Sequence, residues 1–190
     1  MIKSLRIEYF KSIKHLKLDC KRVNIFIGEP NTGKSNILEV IGLLSHIFYG
    51  HIGGFVRFEI MSDLFYDHVL DNKVSIDLDG KIIEITFKDG LFTGSCFHNR
   101  ERVTVFQYPY EGGSPERYRF VEYFSPFKFY RFTRRTNYPN QHSEFLNPPD
   151  GNNLLAVILA RKELRTIVKQ IFDRFGLTLV LEPQENKIKV

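Results

Sequence analysis

Apolar and polar residues alternate along much of the first half of the chain, which is the pattern of strands with one buried face. Strands are predicted at residues 2–10 and 16–19. The run Val-Asn-Ile-Phe-Ile at 23–27 is almost wholly apolar, as a strand buried in the centre of a sheet is. Over 74–108 the alternation predicts a β-meander, whose first turns are the Asp-Gly pairs at 79–80 and 89–90.

Two longer segments repeat apolar residues every three or four positions, as helices with one buried face do. The first follows residue 35 and runs to Phe48, with Gly50 as its end. The second is predicted over 153–175, capped by Gly176 and followed by a strand at 177–181.

The remaining segments carry weaker patterns. Residues 55–70 are irregular or weakly helical, and 112–115 and the proline-rich stretch 133–150 are loops. The aromatic run 118–132 is predicted to be a strand region broken by Pro126.

Composition adds few constraints. The chain has 190 residues, of which 43% are hydrophobic, and this suits one folded domain. Its net charge of +5 permits contact with nucleic acid but does not require it. Cys20 and Cys96 are far apart, so we expect two reduced thiols in a cytoplasmic protein. No apolar run approaches the ~20 residues of a membrane span, and the six histidines show no metal-binding spacing.

The strongest motif is Gly-Glu-Pro-Asn-Thr-Gly-Lys-Ser at residues 28–35, which fits G-x-x-x-x-G-K-[ST]. It lies between an apolar strand and an amphipathic helix, which is the setting of a phosphate loop. The glycines allow successive N–H groups to point at phosphate, and the helix dipole favours the negative charge. The cofactor-binding residues predicted here are Gly28, Asn31, Thr32, Gly33, Lys34, Ser35 and Asn36.

Two side chains of the motif have defined roles. Lys34 brings a positive charge to the β- and γ-phosphates, and the hydroxyl of Ser35 is a ligand for Mg²⁺. The motif therefore predicts a nucleoside triphosphate, ATP with Mg²⁺, as ligand.

The order of motifs resembles the N-terminal lobe of ABC-type ATPases of the RecF and SMC group, with the related AAA-type ATPases of bacteria and archaea. The resemblance rests on Phe-Lys-Ser at 10–12, Asn-Ile-Phe-Ile-Gly at 24–28 and Gly-Lys-Ser-Asn-Ile-Leu-Glu at 33–39. Farther on, Pro-Asp-Gly-Asn-Asn-Leu at 149–154 is similar to a segment of the AAA-type members.

This resemblance implies an α/β fold of the P-loop NTPase type. The expected architecture is an ABC-type N-terminal lobe with a mixed sheet, a flanking β-meander, and a β-rich lobe at 55–135 within a single domain at 1–190. It also implies that Lys11 reaches phosphate and that a glutamine contacts Mg²⁺. Gln141 is the first candidate for that glutamine and Gln107 the second, and the spacing does not decide between them.

The hydrolytic parts of these ATPases are not evident in the chain. The segment Leu-Val-Leu-Glu at 179–182 ends in Glu182 but lacks the magnesium-binding Asp, so we interpret it as an ordinary strand and turn. The resemblance then implies an ATP-binding half that hydrolyses ATP only with a partner polypeptide or in a homodimer. A non-catalytic nucleotide-binding module and a small-molecule kinase are the alternative functions.

Three further patterns have simpler explanations. Asp77 and Gly80 fit the Asp-x-x-Gly of GTPases, but Asp79 and Gly80 lie between two alternating runs and are explained by a hairpin turn. The run Asn-Lys-Ile-Lys at 186–189 resembles the guanine-reading motif of GTPases but lacks its final Asp. Arg131, Arg134 and Arg135 lie beside aromatic residues, as in some nucleic-acid sites, and are interpreted as a solvated basic edge.

Overall fold

The computed structural model describes residues 2–98, 101–111, 116–117 and 122–190, without the side chains of 116 and 117. The predicted loop at 112–115 and the first residues of the predicted aromatic strand, 118–121, lie outside the described residues. The chain divides into two compact units, residues 1–129 and 130–190, so the division falls inside the β-rich lobe predicted at 55–135.

The first unit combines an antiparallel sheet with one long helix, α1. Its elements are β1 (Ser4–Phe10), β2 (Ile13–Asp19), α1 (Lys34–Tyr49), β3 (Val74–Leu78), β4 (Lys81–Lys88), β5 (Leu91–His98), β6 (Glu101–Pro109) and β7 (Glu116–Arg117). The strand order is β2-β1-β3-β4-β5-β6-β7, and every pair is antiparallel. Within the described part of the chain the predicted mixed sheet is therefore not found.

The core of this unit follows from the alternation seen in the sequence. Alternate residues of the strands are buried, for example Ile7 of β1 and Ile76 of β3, which face each other in register. Residues of α1 such as Leu43, Leu44 and Ile47 belong to the same hydrophobic cluster. In the middle of α1, a Cβ atom on Gly42 would lie 2.4 Å from the carbonyl oxygen of Phe55, so the chain can approach the helix closely only because this residue is glycine.

The two Asp-Gly turns are confirmed. Asp79 and Gly80 have φ values of 51° and 85°, and Asp89 and Gly90 have values of 50° and 77°, as the hairpin turns of β3–β4 and β4–β5 require. The carboxylate of Asp79 accepts hydrogen bonds from the backbone N–H of Lys3, at 2.8 Å, and of Ser4, at 2.7 Å. The Asp77–Gly80 sequence is thus a structural turn.

The prediction of a buried central strand at 23–27 is wrong for the described residues. The segment has no assigned strand, and Val23, Ile25 and Ile27 are 71%, 77% and 89% exposed. No backbone hydrogen bond joins 23–27 to another part of the described chain. The physical reason is that an extended segment becomes a strand only when another strand lies beside it.

Other boundaries also differ from the predictions. Residues 122–132 contain a 3₁₀ turn at Glu122–Phe124 and no strand. The region 55–70 is irregular, as predicted, with 3₁₀ turns at Met61–Leu64 and Tyr66–His68. The proline-rich stretch 133–150 contains no helix or strand, which confirms that loop.

The second unit contains the helices α2 (Leu154–Ala160) and α3 (Lys162–Asp173) and a short hairpin, β8 (Val180–Glu182) and β9 (Lys187–Lys189). The single helix predicted at 153–175 is interrupted at Arg161, whose φ of −122° and ψ of 105° are extended. Gly176 has φ 69° and ends the helical region, as predicted.

Asn153 organises the loop before α2. It is fully buried, and its Oδ1 accepts the N–H of Asn147 at 2.7 Å. Its Nδ2 donates to the carbonyl oxygens of His142, at 2.6 Å, and Phe145, at 2.7 Å. A loop without strands is thereby fixed by one side chain, which satisfies three backbone groups.

Two whole-chain expectations can also be compared with the described residues. No helix among them has both the length and the apolar character needed to cross a membrane. Cys20 and Cys96 are free thiols, and burial raises the pKa of Cys96.

Candidate functional site

The predicted phosphate loop directly precedes α1, and three of its residues have positive φ values. Gly28, Asn31 and Gly33 have φ values of 153°, 61° and 82°, which reverse the chain ahead of α1. α1 begins at Lys34, with Gly33 as its N-cap, and no side chain caps it. The first N–H groups of a helix have no acceptor within the helix, so this end of α1 presents donors and the positive end of the helix dipole.

Lys34 folds back over the loop. Its Nζ donates to the carbonyl oxygen of Glu29 and, at 3.0 Å, to Oγ1 of Thr32. Thr32 Oγ1 in turn donates to the carbonyl oxygen of Glu29 at 2.9 Å. The ammonium group therefore lies above the loop backbone, held by exposed oxygen atoms that phosphate oxygens can replace.

The turn between β1 and β2 contacts the start of α1. Asn36 Nδ2 donates to Ser12 Oγ at 2.8 Å. The same Ser12 oxygen lies 3.0 Å from the position of a Cβ atom on Gly33, so a larger residue at 33 meets Ser12 as well as strain from its positive φ. Asn36, predicted to be a cofactor-binding residue, therefore also holds the Phe10-Lys11-Ser12 turn beside the phosphate loop.

Lys11 takes part in an ion pair with α1. Its Nζ lies 2.7 Å from Oε2 of Glu39 and 2.7 Å from the carbonyl oxygen of Arg57. Glu39 is 1% exposed, and its Oε1 accepts from Arg57 Nε. The charge of Lys11 is thus directed at Glu39 in this structure, and its predicted contact with phosphate stays a prediction.

Glu39 is the residue of this region for which the sequence indicated no role. It stands five residues after Lys34, at the end of the Gly-Lys-Ser-Asn-Ile-Leu-Glu run, but its partners are 28 and 18 residues away in the chain. A buried glutamate in a helix requires such partners, because a buried unpaired charge is strongly unfavourable. This need of a buried glutamate for charged partners was the signal by which sequence reasoning could have found the ion pairs of Glu39.

The two candidate glutamines occupy different settings. Gln141 belongs to the second unit, where its Nε2 donates to Asn186 Oδ1 at 3.0 Å and to the carbonyl oxygen of Pro139 at 3.4 Å. Gln107 lies on β6, and its Nε2 donates to Thr93 Oγ1 on β5 at 3.1 Å. Both are therefore hydrogen-bonded within their own units.

The other candidates are parts of local structure. Glu182 ends β8 and pairs with Lys189 of β9 at 2.7 Å, as an ordinary hairpin residue does. In the basic cluster, Arg135 pairs with Asp150 of the Pro-Asp-Gly segment. The described residues contain no group of three His, Cys, Asp or Glu side chains that could hold a metal ion.

This set of donors fits the triphosphate of a magnesium nucleotide. The uncapped start of α1 and the Lys34 ammonium provide N–H donors and positive charge. Ser35, in the first turn of the helix, is exposed and can offer its hydroxyl to Mg²⁺. The metal would neutralise charge on the β- and γ-phosphates.

Comparison with known proteins agrees with this geometry. The family model described as an AAA ATPase domain matches residues 1–174. No curated protein matches the chain. The matched range includes the phosphate loop, α1, the antiparallel sheet and the Pro-Asp-Gly segment. The chain belongs to the AAA ATPase domain family.

Proposed function

We propose that the chain is the ATP-binding half of a RecF/SMC-like, ABC-type ATPase that acts in the cytoplasm. ATP and Mg²⁺ are the ligands of residues 28–36, and hydrolysis requires catalytic groups from a further polypeptide segment, a partner chain or a second copy. The observation that carries the proposal is the phosphate loop itself, which is seated on the uncapped start of α1.

The segment just before the loop supports the proposal that a further polypeptide segment, a partner chain or a second copy is needed. Residues 23–27 lead directly into Gly28, yet their outward side chains are exposed and their backbone has no strand partner among the described residues. A nearly continuous apolar run of this kind is typical of strands covered on both faces. A neighbouring strand would complete the sheet beside the phosphate loop.

In the bound state the backbone N–H groups of the loop, Lys34 and Ser35 would have different roles. The backbone N–H groups and Lys34 hold and orient the phosphates, and Ser35 holds Mg²⁺. Hydrolysis also needs an oriented water molecule and positive charge at the γ-phosphate. Glu182 pairs with Lys189 across the β8–β9 hairpin, and we assign that role to groups from outside the chain.

Calorimetry with Mg²⁺ and ATP tests the binding site. Lys34→Ala should weaken ATP binding between about 10- and 100-fold, because a hydrogen bond to a charged group contributes ~1.5–3 kcal/mol. Lys17→Ala is the matched control, since Lys17 is an exposed lysine of β2. Equal affinities for the Lys34→Ala variant and the wild type would contradict a phosphate-binding role for the loop.

Phosphate release at saturating ATP tests the need for other groups. The isolated chain should turn over well below ~1 per second, the lower end of typical enzymes. Charge-stabilising groups provided by a partner raise rates by ~10³–10⁵ in other phosphate-loop enzymes. Rapid hydrolysis that Glu182→Gln abolishes would instead make residues 179–182 a catalytic strand.

A non-catalytic nucleotide-binding module is the second candidate function. The place of Glu182 favours it, because this glutamate ends a short hairpin strand and pairs with Lys189 across that hairpin. The two candidates differ in one measurement: a module that only binds would show no hydrolysis in the presence of any partner or at any concentration of a second copy.

A further inference from the structure

A cleft of about 470 Å³ lies beside the start of α1. It is lined by the turn between β1 and β2, the first turn of α1 and the 3₁₀ region that follows α1. The lining residues include Lys11, Ser12, Asn36, Asp63, Tyr66 and His68. Its volume is within the range of ~300–1,000 Å³ of pockets for small molecules.

The cleft is continuous with the phosphate loop through two residues. Asn36 follows Ser35 directly, and its side chain is bonded to Ser12 Oγ at 2.8 Å. Ser12 Oγ in turn packs against Gly33. A molecule whose phosphates lie on residues 28–35 can therefore extend along Asn36 and Ser12 into the cleft.

Tyr66 lines the cleft on the side of the 3₁₀ region that follows α1. Tyr66 is partly exposed and follows Phe65, which is buried and forms a β-bridge with Phe10. The backbone N–H of Lys11 donates to the carbonyl oxygen of Leu64 at 3.1 Å. These contacts join the backbone before Tyr66 to the turn that holds Ser12, and the Tyr66 side chain lines the cleft between them.

Polar side chains line the same cleft as Tyr66. His68 is 66% exposed in its side chain and lies 3.5 Å from Asp63, whose other carboxylate oxygen accepts the N–H of Glu59 at 2.8 Å. Asp67 is exposed. An aromatic face with nearby donors and acceptors is the combination that holds a nucleobase and the hydroxyls of a sugar.

We propose that this cleft is the base and ribose subsite of the nucleotide, with the base stacked on Tyr66. The inference rests on the proposed binding of a nucleoside triphosphate at residues 28–35. Every base has a flat face that can stack, so Tyr66 provides affinity without choosing strongly between bases. ATP and GTP should then bind within about tenfold of each other.

The test compares two probes in calorimetry, MgATP and magnesium tripolyphosphate, which has the phosphates and no base or sugar. Tyr66→Ala should weaken ATP binding about tenfold and leave tripolyphosphate binding unchanged. Tyr66→Phe retains the ring and should keep the wild-type affinity for ATP. Lys34→Ala should weaken both probes.

Leu38→Ala is the control for a different position of the base. Leu38 is 49% exposed and lines an apolar cavity of about 340 Å³ beside Leu18 and Phe26. A loss of ATP affinity in Leu38→Ala and none in Tyr66→Ala would put the base in that cavity and overturn the subsite. Melting curves of each variant check that it is folded.

The remaining outcomes separate the two proposals. If Tyr66→Ala binds both probes as the wild type does, the subsite is wrong and phosphate binding stands. If the folded wild-type protein binds neither probe, the proposed nucleotide site is wrong and the subsite is overturned with it.

Discussion

The β-meander and the segment before the phosphate loop are both predicted to be strands, but only the meander forms paired strands with buried side chains. β3 to β6 pair in order, and their apolar residues Ile76, Ile83 and Ile85 are fully buried. Residues 23–27 are almost wholly apolar, yet Ile25 and Ile27 are more than three-quarters exposed. Among the described residues, the strands of the meander have neighbouring strands and the segment 23–27 has none, although that segment is the more apolar of the two.

This difference shows what an apolar pattern can and cannot specify. The alternation at 74–98 came with its own two-residue turns, so each strand pairs with the strand that follows it directly in the chain. The run at 23–27 is followed by the phosphate loop and a helix, which place no strand beside it. An apolar run predicts that a segment favours burial, and the rest of the polypeptide decides what covers it.

A pair of identical substitutions gives the largest expected contrast between the regions. Ile76→Ala removes a fully buried side chain and should lower the free energy of unfolding by ~2–5 kcal/mol. Ile25→Ala removes a side chain that is 77% exposed and should change that free energy by about 0.5 kcal/mol or less. Urea unfolding followed by circular dichroism measures both.

One result for Ile25→Ala would contradict the prediction that this side chain is exposed. A loss above about 1 kcal/mol in Ile25→Ala would mean that 23–27 is packed in solution, either in the chain or between two copies. Repeating the measurement over a range of protein concentrations separates these cases, because stability gained from a second copy depends on concentration.

The second prediction concerns the ion pair that joins α1 to the turn before it. Glu39→Gln leaves Lys11 with a weaker acceptor and should lower the free energy of unfolding by ~1–3 kcal/mol. Arg57 is largely exposed and can return to water, which limits the loss. Glu111→Gln is the control, since Glu111 is exposed. Equal stabilities for the two variants would mean that the Glu39 carboxylate is hydrated in solution.

Local sequence predicted the phosphate loop and most of the meander, because both depend on residues close together in the chain. Gly28, Gly33 and Lys34 act within eight residues, and each Asp-Gly turn determines its own hairpin. The partners of Glu39 and the cleft at Tyr66 depend on contacts between distant segments, which spacing alone does not reveal. The break at Arg161 was missed because the apolar repeat continues across it.

The smallest expected effect is the pH dependence of the stability that the Asp79 strap contributes. We call by this name the hydrogen bonds of the Asp79 carboxylate, in the turn between β3 and β4, to the backbone at the start of β1. Hydrogen bonds from the N–H groups of Lys3 and Ser4 hold the pKa of the Asp79 carboxyl below its ordinary value, about 3.9. Because the folded pKa is the lower one, the stabilisation is fully present above pH ~4 and is lost as the pH falls through the folded pKa.

Asp79→Asn should therefore melt at a lower temperature than the wild type at pH 7 and pH 5, and the difference should shrink below pH ~4. Thermal denaturation at pH 7, 5, 4 and 3 measures it. Asp89→Asn is the matched control, because Asp89 has the same place in the next Asp-Gly turn and no strap to another strand among the described residues. A wild-type advantage over Asp79→Asn that persists unchanged at pH 3 would show that the strap depends on hydrogen-bond geometry and not on the charge of the carboxylate.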